Sequence, residues 1–130
     1  MAKIASGGEL SRILLALKRV VGTSDKPRTY LFDEVDTGVS GQTAEKVGKK
    51  LKTISKGQQL ICVTHLPQVA SFADQHFLIE KKAQKGGGMR MDVTELAKVD
   101  RVQEIARLIS GEKISQTSLE HARQLIAESR

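Results

Sequence analysis

Asp33, Glu34 and Asp36 crowd together directly after the apolar run "TYLF" at positions 29–32. Carboxylates this close repel one another unless a proton or a cation is shared between them. An aspartate carried by a strand to its C-terminal end stands at the ligand edge of a parallel sheet. There Asp33 could hold Mg²⁺, directly or through water, and the next carboxylate, Glu34, could polarise a water. A plain acidic loop after a strand would carry the same letters.

Two further stretches have chemistry in them. "ASGGELSR" (5–12) sets Ser6, Gly7 and Gly8 at the start of a helical pattern. Glycines there leave backbone N–H groups unshielded beside the positive end of a helix dipole, an arrangement that suits a phosphate oxygen. The same letters also describe a well-capped helix, with Ser6 as the cap and Glu9 closing a capping box. "CVTHLPQVA" (62–70) puts His65 just past an apolar run. A histidine at a strand end near a phosphate can hydrogen-bond a terminal oxygen or position a water, and a structural histidine would occupy the same place. His76 and His121 have no such context. Cys62, the only cysteine, reads as a core side chain, and it excludes an internal disulfide and a cysteine-based zinc site.

These residues need elements to position them. Leu10, Ile13, Leu14, Leu17, Val20 and Val21 recur at helical spacing, and Gly22 can end that helix. "TYLF" reads as a buried strand ending at Asp33. Ser40 to Lys56 reads as a helix with Ala44, Val47, Leu51 and Ile54 on one face, and "QQLICVT" as a second buried strand. Pro67 suits the first turn of a short helix running to Phe72. "HFLIEKK" and "MRMDVTEL" flank "AQKGGG", the pattern of a hairpin with a glycine tip, over 76–96. Asp100 opens a helix with Val102, Ile105, Ala106 and Ile109 inward, stopped by Gly111. Thr117 and Glu120 form a capping box for a last helix bearing Leu119, Ala122, Leu125 and Ile126. Strand, helix, strand in that order implies a parallel pair. The fold class expected is α/β: parallel strands with flanking helices, an added β-hairpin and two C-terminal helices.

Composition narrows the function classes. With 130 residues, 39% hydrophobic and 28% charged, the chain suits one soluble domain. No apolar stretch approaches the ~20 residues of a membrane span, and no signal peptide is evident, so a cytoplasmic protein is expected, with no membrane partner. Net charge is +6. Lys46, Lys49, Lys50, Lys52 and Lys56 form one acid-free cluster, and Lys81, Lys82, Lys85 and Arg90 another. Such clusters attract phosphate backbones, and they also serve as ordinary solvated faces. Aromatics are 3% of the chain, too few for a platform that stacks single-stranded bases.

Taken in order, "SGGE", a strand ending in Asp-Glu, and a strand ending in His resemble the second half of an ABC-type ATPase head. "LFDEVDTGVSG", "CVTHLPQVAS" and "RVQEIARLISG…SLEHARQLI" look like the SMC-like DNA-repair branch of that family, and the resemblance covers nearly the whole chain. It implies a signature motif at 5–9, Walker B at 30–34, a D-loop around 37–40 and a switch histidine at His65. Ala5 and Glu9 stand where many transporters carry Leu and Gln, and Ser40 where many carry Asp. The resemblance implies ATP and Mg²⁺ as cofactors. Asp33 would hold the metal. Glu34 would be the catalytic base, with His65 beside it. Ser6, Gly7, Gly8, Glu9 and Ser40 would face the nucleotide of an opposing head.

No G-x-x-x-x-G-K-[ST] phosphate loop occurs in the sequence, and no heptad region. Residues 1–130 are therefore expected to be the C-terminal subdomain of a split head. Its implied partners are the N-terminal half of the same polypeptide, a second head in an ATP-bound homodimer, and DNA. Such a piece would be inactive alone. It would belong to a cytoplasmic, nucleoid-associated ATPase of double-strand break repair and recombination. Two alternatives stay open: a basic DNA-binding module on an ATPase scaffold, and the head of another SMC-like or ABC ATPase.

Overall fold

The computed structural model describes residues 26–33 and 41–130. Along them run β1 (Thr29–Asp33), α1 (Gly41–Ile54), β2 (Gln59–Val63), α2 (Pro67–Ala70), β3 (Phe77–Ala83), β4 (Met89–Glu95), α3 (Lys98–Ser110) and α4 (Gln116–Glu128). The helical pattern over 10–21 and the capping box of Ser6 and Glu9 lie outside the described residues.

β1 and β2 pair in parallel, with Leu31 opposite Ile61 and Asp33 opposite Val63. Side chains alternate across a strand, and Tyr30, Phe32, Leu60 and Cys62 face α1. There they form the first core with Ala44, Val47, Leu51 and Val69. The Tyr30 and Phe32 rings stack at 6.4 Å on that face. Ala44, Val47 and Leu51 recur at helical spacing, so one face of α1 is buried and the other carries the lysines. Cys62 is half-buried against this core.

Both strands were expected to be buried. Only one face is: Leu31 is 69% exposed, Ile61 47% and Val63 41%. A short apolar run does not tell whether one face or both will be covered, and among the described residues nothing packs on the second face.

β3 and β4 form the expected antiparallel hairpin, in register from Phe77 opposite Glu95 to Ala83 opposite Met89. Gly86, Gly87 and Gly88 at its tip all have positive φ, the region that L side chains avoid. Residues paired across an antiparallel ladder share a face. One hairpin face therefore gathers Phe77, Ile79, Val93, Met91 and Met89, each at least half exposed. On the other face Asp92 bridges Lys82 at 3.3 Å and Arg90 at 2.9 Å.

α3 and α4 pack on each other around Ile105, Ala106 and Ala122, all fully buried. α3 begins at Lys98 rather than Asp100, which sits in its first turn, where a carboxylate complements the helix dipole. The last helix opens differently from expectation. Its cap is Ser115, whose hydroxyl accepts from Ser118 N at 3.1 Å while Ser118 Oγ accepts from Ser115 N at 2.9 Å. Starting at Gln116 places Thr117 and Glu120 inside the helix, so they cannot serve as its box.

α2 lies between the two cores. Val69 belongs to the first and Ala70 to the second.

Candidate functional site

Of the residues singled out for chemistry, Asp33 and His65 are described. Glu34, Ser40, Ser6, Gly7, Gly8 and Glu9 lie outside the described residues. Asp33 is the last residue of β1, and His65 follows the end of β2. Because the strands are parallel and in register through Asp33–Val63, both fall at the same, C-terminal edge of the pair. That is the edge where open α/β sheets bind ligands.

The strands deliver these residues for local reasons. β1 is anchored by Phe32, 8% exposed, so the next position must leave the core, and Asp33 is exposed. β2 ends at Val63. Leu66 N then donates to Thr64 Oγ1 at 3.0 Å, which turns the chain just around His65. Leu66 caps α2 in an extended conformation with no side-chain hydrogen bond, and Pro67 occupies the first turn with its fixed φ. Both features hold the His65 loop short. His65 is exposed.

An exposed carboxylate is a hard oxygen donor of the kind that Mg²⁺ takes, directly or through its water shell. Asp33 fits that role as one ligand of several. Among the described residues no group of three or more His, Cys, Asp or Glu side chains could hold a metal by itself. Further oxygen donors to such a metal would come from outside the described residues, from water or from a substrate.

α2 is held from the other side by residues that the sequence reading did not single out. Arg101 Nη2 donates to Ser71 O at 2.8 Å and lies 3.4 Å from Ala70 O. Ser129 Oγ donates to Ser71 O at 2.6 Å. A shallow cleft runs beside them, lined by Gln68, Phe72 and Leu125 among others. Burial pushes His76 below the usual imidazole range, and the Arg101 guanidinium adds to that, with Glu104 opposing. Arg107 is raised by its hydrogen bonds to the Glu104 carboxylate. No local signal singled out Arg101: a cation in the first turn opposes the helix dipole, but Lys98 does so as well.

No protein-family model matches the chain. Among curated proteins it is 46% identical over 126 residues to DNA repair protein RecN of Halalkalibacterium halodurans, covering 97% of this chain. It is 42% identical over 128 residues to RecN of Bacillus subtilis, and 45% over 130 residues to RecN of Streptomyces coelicolor. The chain spans 22–23% of the length of these relatives. A solved SMC ATPase, studied for ATP-driven dimerization and DNA-stimulated activation, superposes with a TM-score of 0.58. That match covers 84% of this chain and 65% of the other at 22% identity, a likeness of fold. The fold class read from the sequence, the parallel pair with flanking helices, hairpin and closing helices, agrees with that neighbour. Over nearly its whole length, then, the chain is similar to a C-terminal part of RecN proteins, at 42–46% identity.

Proposed function

We propose that residues 1–130 are the C-terminal subdomain of an SMC-like ATPase head acting in DNA double-strand break repair and recombination. The observation that carries this reading is the parallel β1–β2 pair, with Asp33 and His65 at one edge, in a chain 42–46% identical to RecN proteins. Bound Mg²⁺–ATP would supply the phosphoanhydride and the charge neutralisation its cleavage needs. Asp33 would hold the metal ion through water. Glu34, next in sequence, would accept the proton of the attacking water. His65 would hydrogen-bond the terminal phosphate oxygens and keep that water in line. Ser6, Gly7, Gly8 and Glu9, with Ser40, would meet the nucleotide carried by a second head, so that ATP joins two heads and its cleavage releases them. DNA would be the partner on which this cycle acts, in the cytoplasm at the nucleoid.

The phosphate loop would come from the N-terminal half of the same polypeptide, and the chain alone would neither bind ATP tightly nor cleave it. Among the described residues two apolar surfaces stand open, Leu31, Ile61 and Val63 on the sheet and Phe77, Ile79, Met89, Met91 and Val93 on the hairpin, and either could receive a further part of such a head.

The test uses the full-length protein. Glu34→Gln should keep ATP binding and lose about 10²- to 10⁴-fold in turnover, because the amide holds a water without taking its proton. It should also accumulate as an ATP-bound dimer. Ser6→Arg should bind ATP yet fail in both dimerisation and turnover. Mixed together, the two variants form one site from an intact Glu34 and an intact signature, and part of the activity should return. Unchanged turnover in Glu34→Gln would refute the proposed chemistry. No recovery in confirmed heterodimers would refute the action of Ser6 across the dimer.

A further inference from the structure

α2 is one turn long, yet the two cores of the chain meet on it. Its consecutive residues Val69 and Ala70, each 5% exposed, enter different cores: Val69 packs with Phe32, Val47 and Leu51, and Ala70 with Ile105, Ala106 and Ala122. A helix this short has no cooperative stability of its own, so its place is set by what grips it. Toward β2 it continues directly into Leu66 and His65. On the α1 side it lies so close that a Cβ on Gly48 would stand 3.0 Å from Gln68 O.

Its C-terminal end is gripped by the last two helices. Carbonyls at a helix end lack intrahelical partners and take cations or hydroxyls instead. Ser71 O receives both kinds, Arg101 Nη2 at 2.8 Å and Ser129 Oγ at 2.6 Å. These donors come from α3 and from the residue that caps α4, 30 and 58 positions away in sequence. In the first turn of α3 the Arg101 charge is unfavourable for its own helix. Its guanidinium turns to the α2 carbonyls instead.

We propose that Arg101 is a positioning residue for His65: by fixing the C-terminal end of α2 it fixes the loop that carries the histidine, so the C-terminal helix pair sets how well the site turns over. This rests on the role given to His65 above.

The experiment is a double-mutant cycle on steady-state ATP hydrolysis by the full-length protein, with His65→Ala, Arg101→Ala, the two combined, Arg101→Lys and Ser129→Ala. A displacement of about 1 Å at a catalytic group costs on the order of 10²-fold, so Arg101→Ala should lower kcat by roughly ten- to a hundred-fold. KM for ATP should hold, because this clamp touches no nucleotide. Arg101→Lys, which keeps a cation within reach of Ser71 O, should recover most of the loss, and Ser129→Ala should show a smaller fall. In the His65→Ala background Arg101→Ala should add nothing, since residues acting through one another are not additive.

If His65→Ala leaves turnover intact, the role of His65 fails and the proposal with it. If His65→Ala lowers turnover while Arg101→Ala does not, the proposal alone fails. Additive losses, or a rise in KM equal to the fall in kcat/KM, would also overturn it by making Arg101 a general support of the fold. Should Arg101→Ala not fold, Ser129→Ala carries the same cycle against His65→Ala, with additivity again the refuting result.

Discussion

Replacing Gly48 by alanine should destabilise the protein, against the usual rule for helices. In the interior of an exposed helix, glycine to alanine gains about 1 kcal/mol. Gly48 is buried in the middle of α1, at the crossing with α2. A Cβ there would lie 2.6 Å from Phe72 Cδ2, 3.0 Å from Phe72 Cε2 and 3.0 Å from Gln68 O. The Phe72 ring is half-buried and can tilt away. Gln68 O is backbone and moves only if α2 moves, and α2 is tied to both cores. Overpacking of this kind costs about 1–3 kcal/mol, and two separate contacts put Gly48→Ala in the upper part of that range. Less the propensity gain, the net loss is about 1–2 kcal/mol. Hydrogen exchange read by mass spectrometry is the assay, on peptides spanning 41–54 and 66–72 in the full-length protein. Their protection should fall by roughly five- to thirty-fold. Gly41→Ala is the control, because among the described residues its Cβ would meet only Gln68 Nε2, at an ordinary 3.5 Å. It should leave protection unchanged or raised. Slower exchange in Gly48→Ala would refute the close approach of α1 and α2.

Two further outcomes follow from the charges. His76 is held below its ordinary value of 6.5, first by burial and then by Arg101. The unfolded chain therefore takes up the proton more readily, and stability that is complete above about pH 6.5 should be lost as pH falls through the depressed folded value. His76→Gln should flatten that dependence in thermal unfolding between roughly pH 5 and 8; an unchanged pH profile would rule out His76 as its source. On α1, Lys46 and Lys49 are exposed while Lys52 is paired with Asp74. If this face meets DNA, Lys46→Glu with Lys49→Glu should weaken binding and reduce the magnitude of the salt slope by about two, whereas an unchanged slope would make these lysines ordinary solvated surface.

The elements were legible because their signals are local. Ala44, Val47 and Leu51 declare a helix by their spacing, and the strands by their short apolar runs closed by Asp33 and His65. What failed was also local in kind. "SQTSLE" holds two overlapping candidates for a cap, Ser115 with Ser118 and Thr117 with Glu120, and nothing in the letters chooses between them. The structure takes the earlier one, which lengthens the helix by two residues and satisfies Ser115 N and Ser118 N together. The burial of β1 and β2 departs from the sequence pattern for a different reason. "TYLF" and "LICV" are apolar at every position, so alternation could not show that Leu31, Ile61 and Val63 face away from α1.

The site divides along the same line. Asp33 and His65 could be placed from sequence because one ends a strand and the other follows the end of its neighbour, and a parallel register then brings both to one edge. The grip on α2 could not, because its partners come from 30 and 58 positions away and none has a patterned neighbourhood. Nor did the place of Arg101 at the start of a helix mark it out, because Lys98 opens the same helix with a cation. Val69 and Ala70 look like any two apolar neighbours in "PQVAS". Their entry into different cores depends on α3 and α4 folding back onto the strand end, a contact that no local rule encodes. A change in the α3–α4 pair would therefore reach His65 through one helical turn, because α2 packs on α1, α3 and α4.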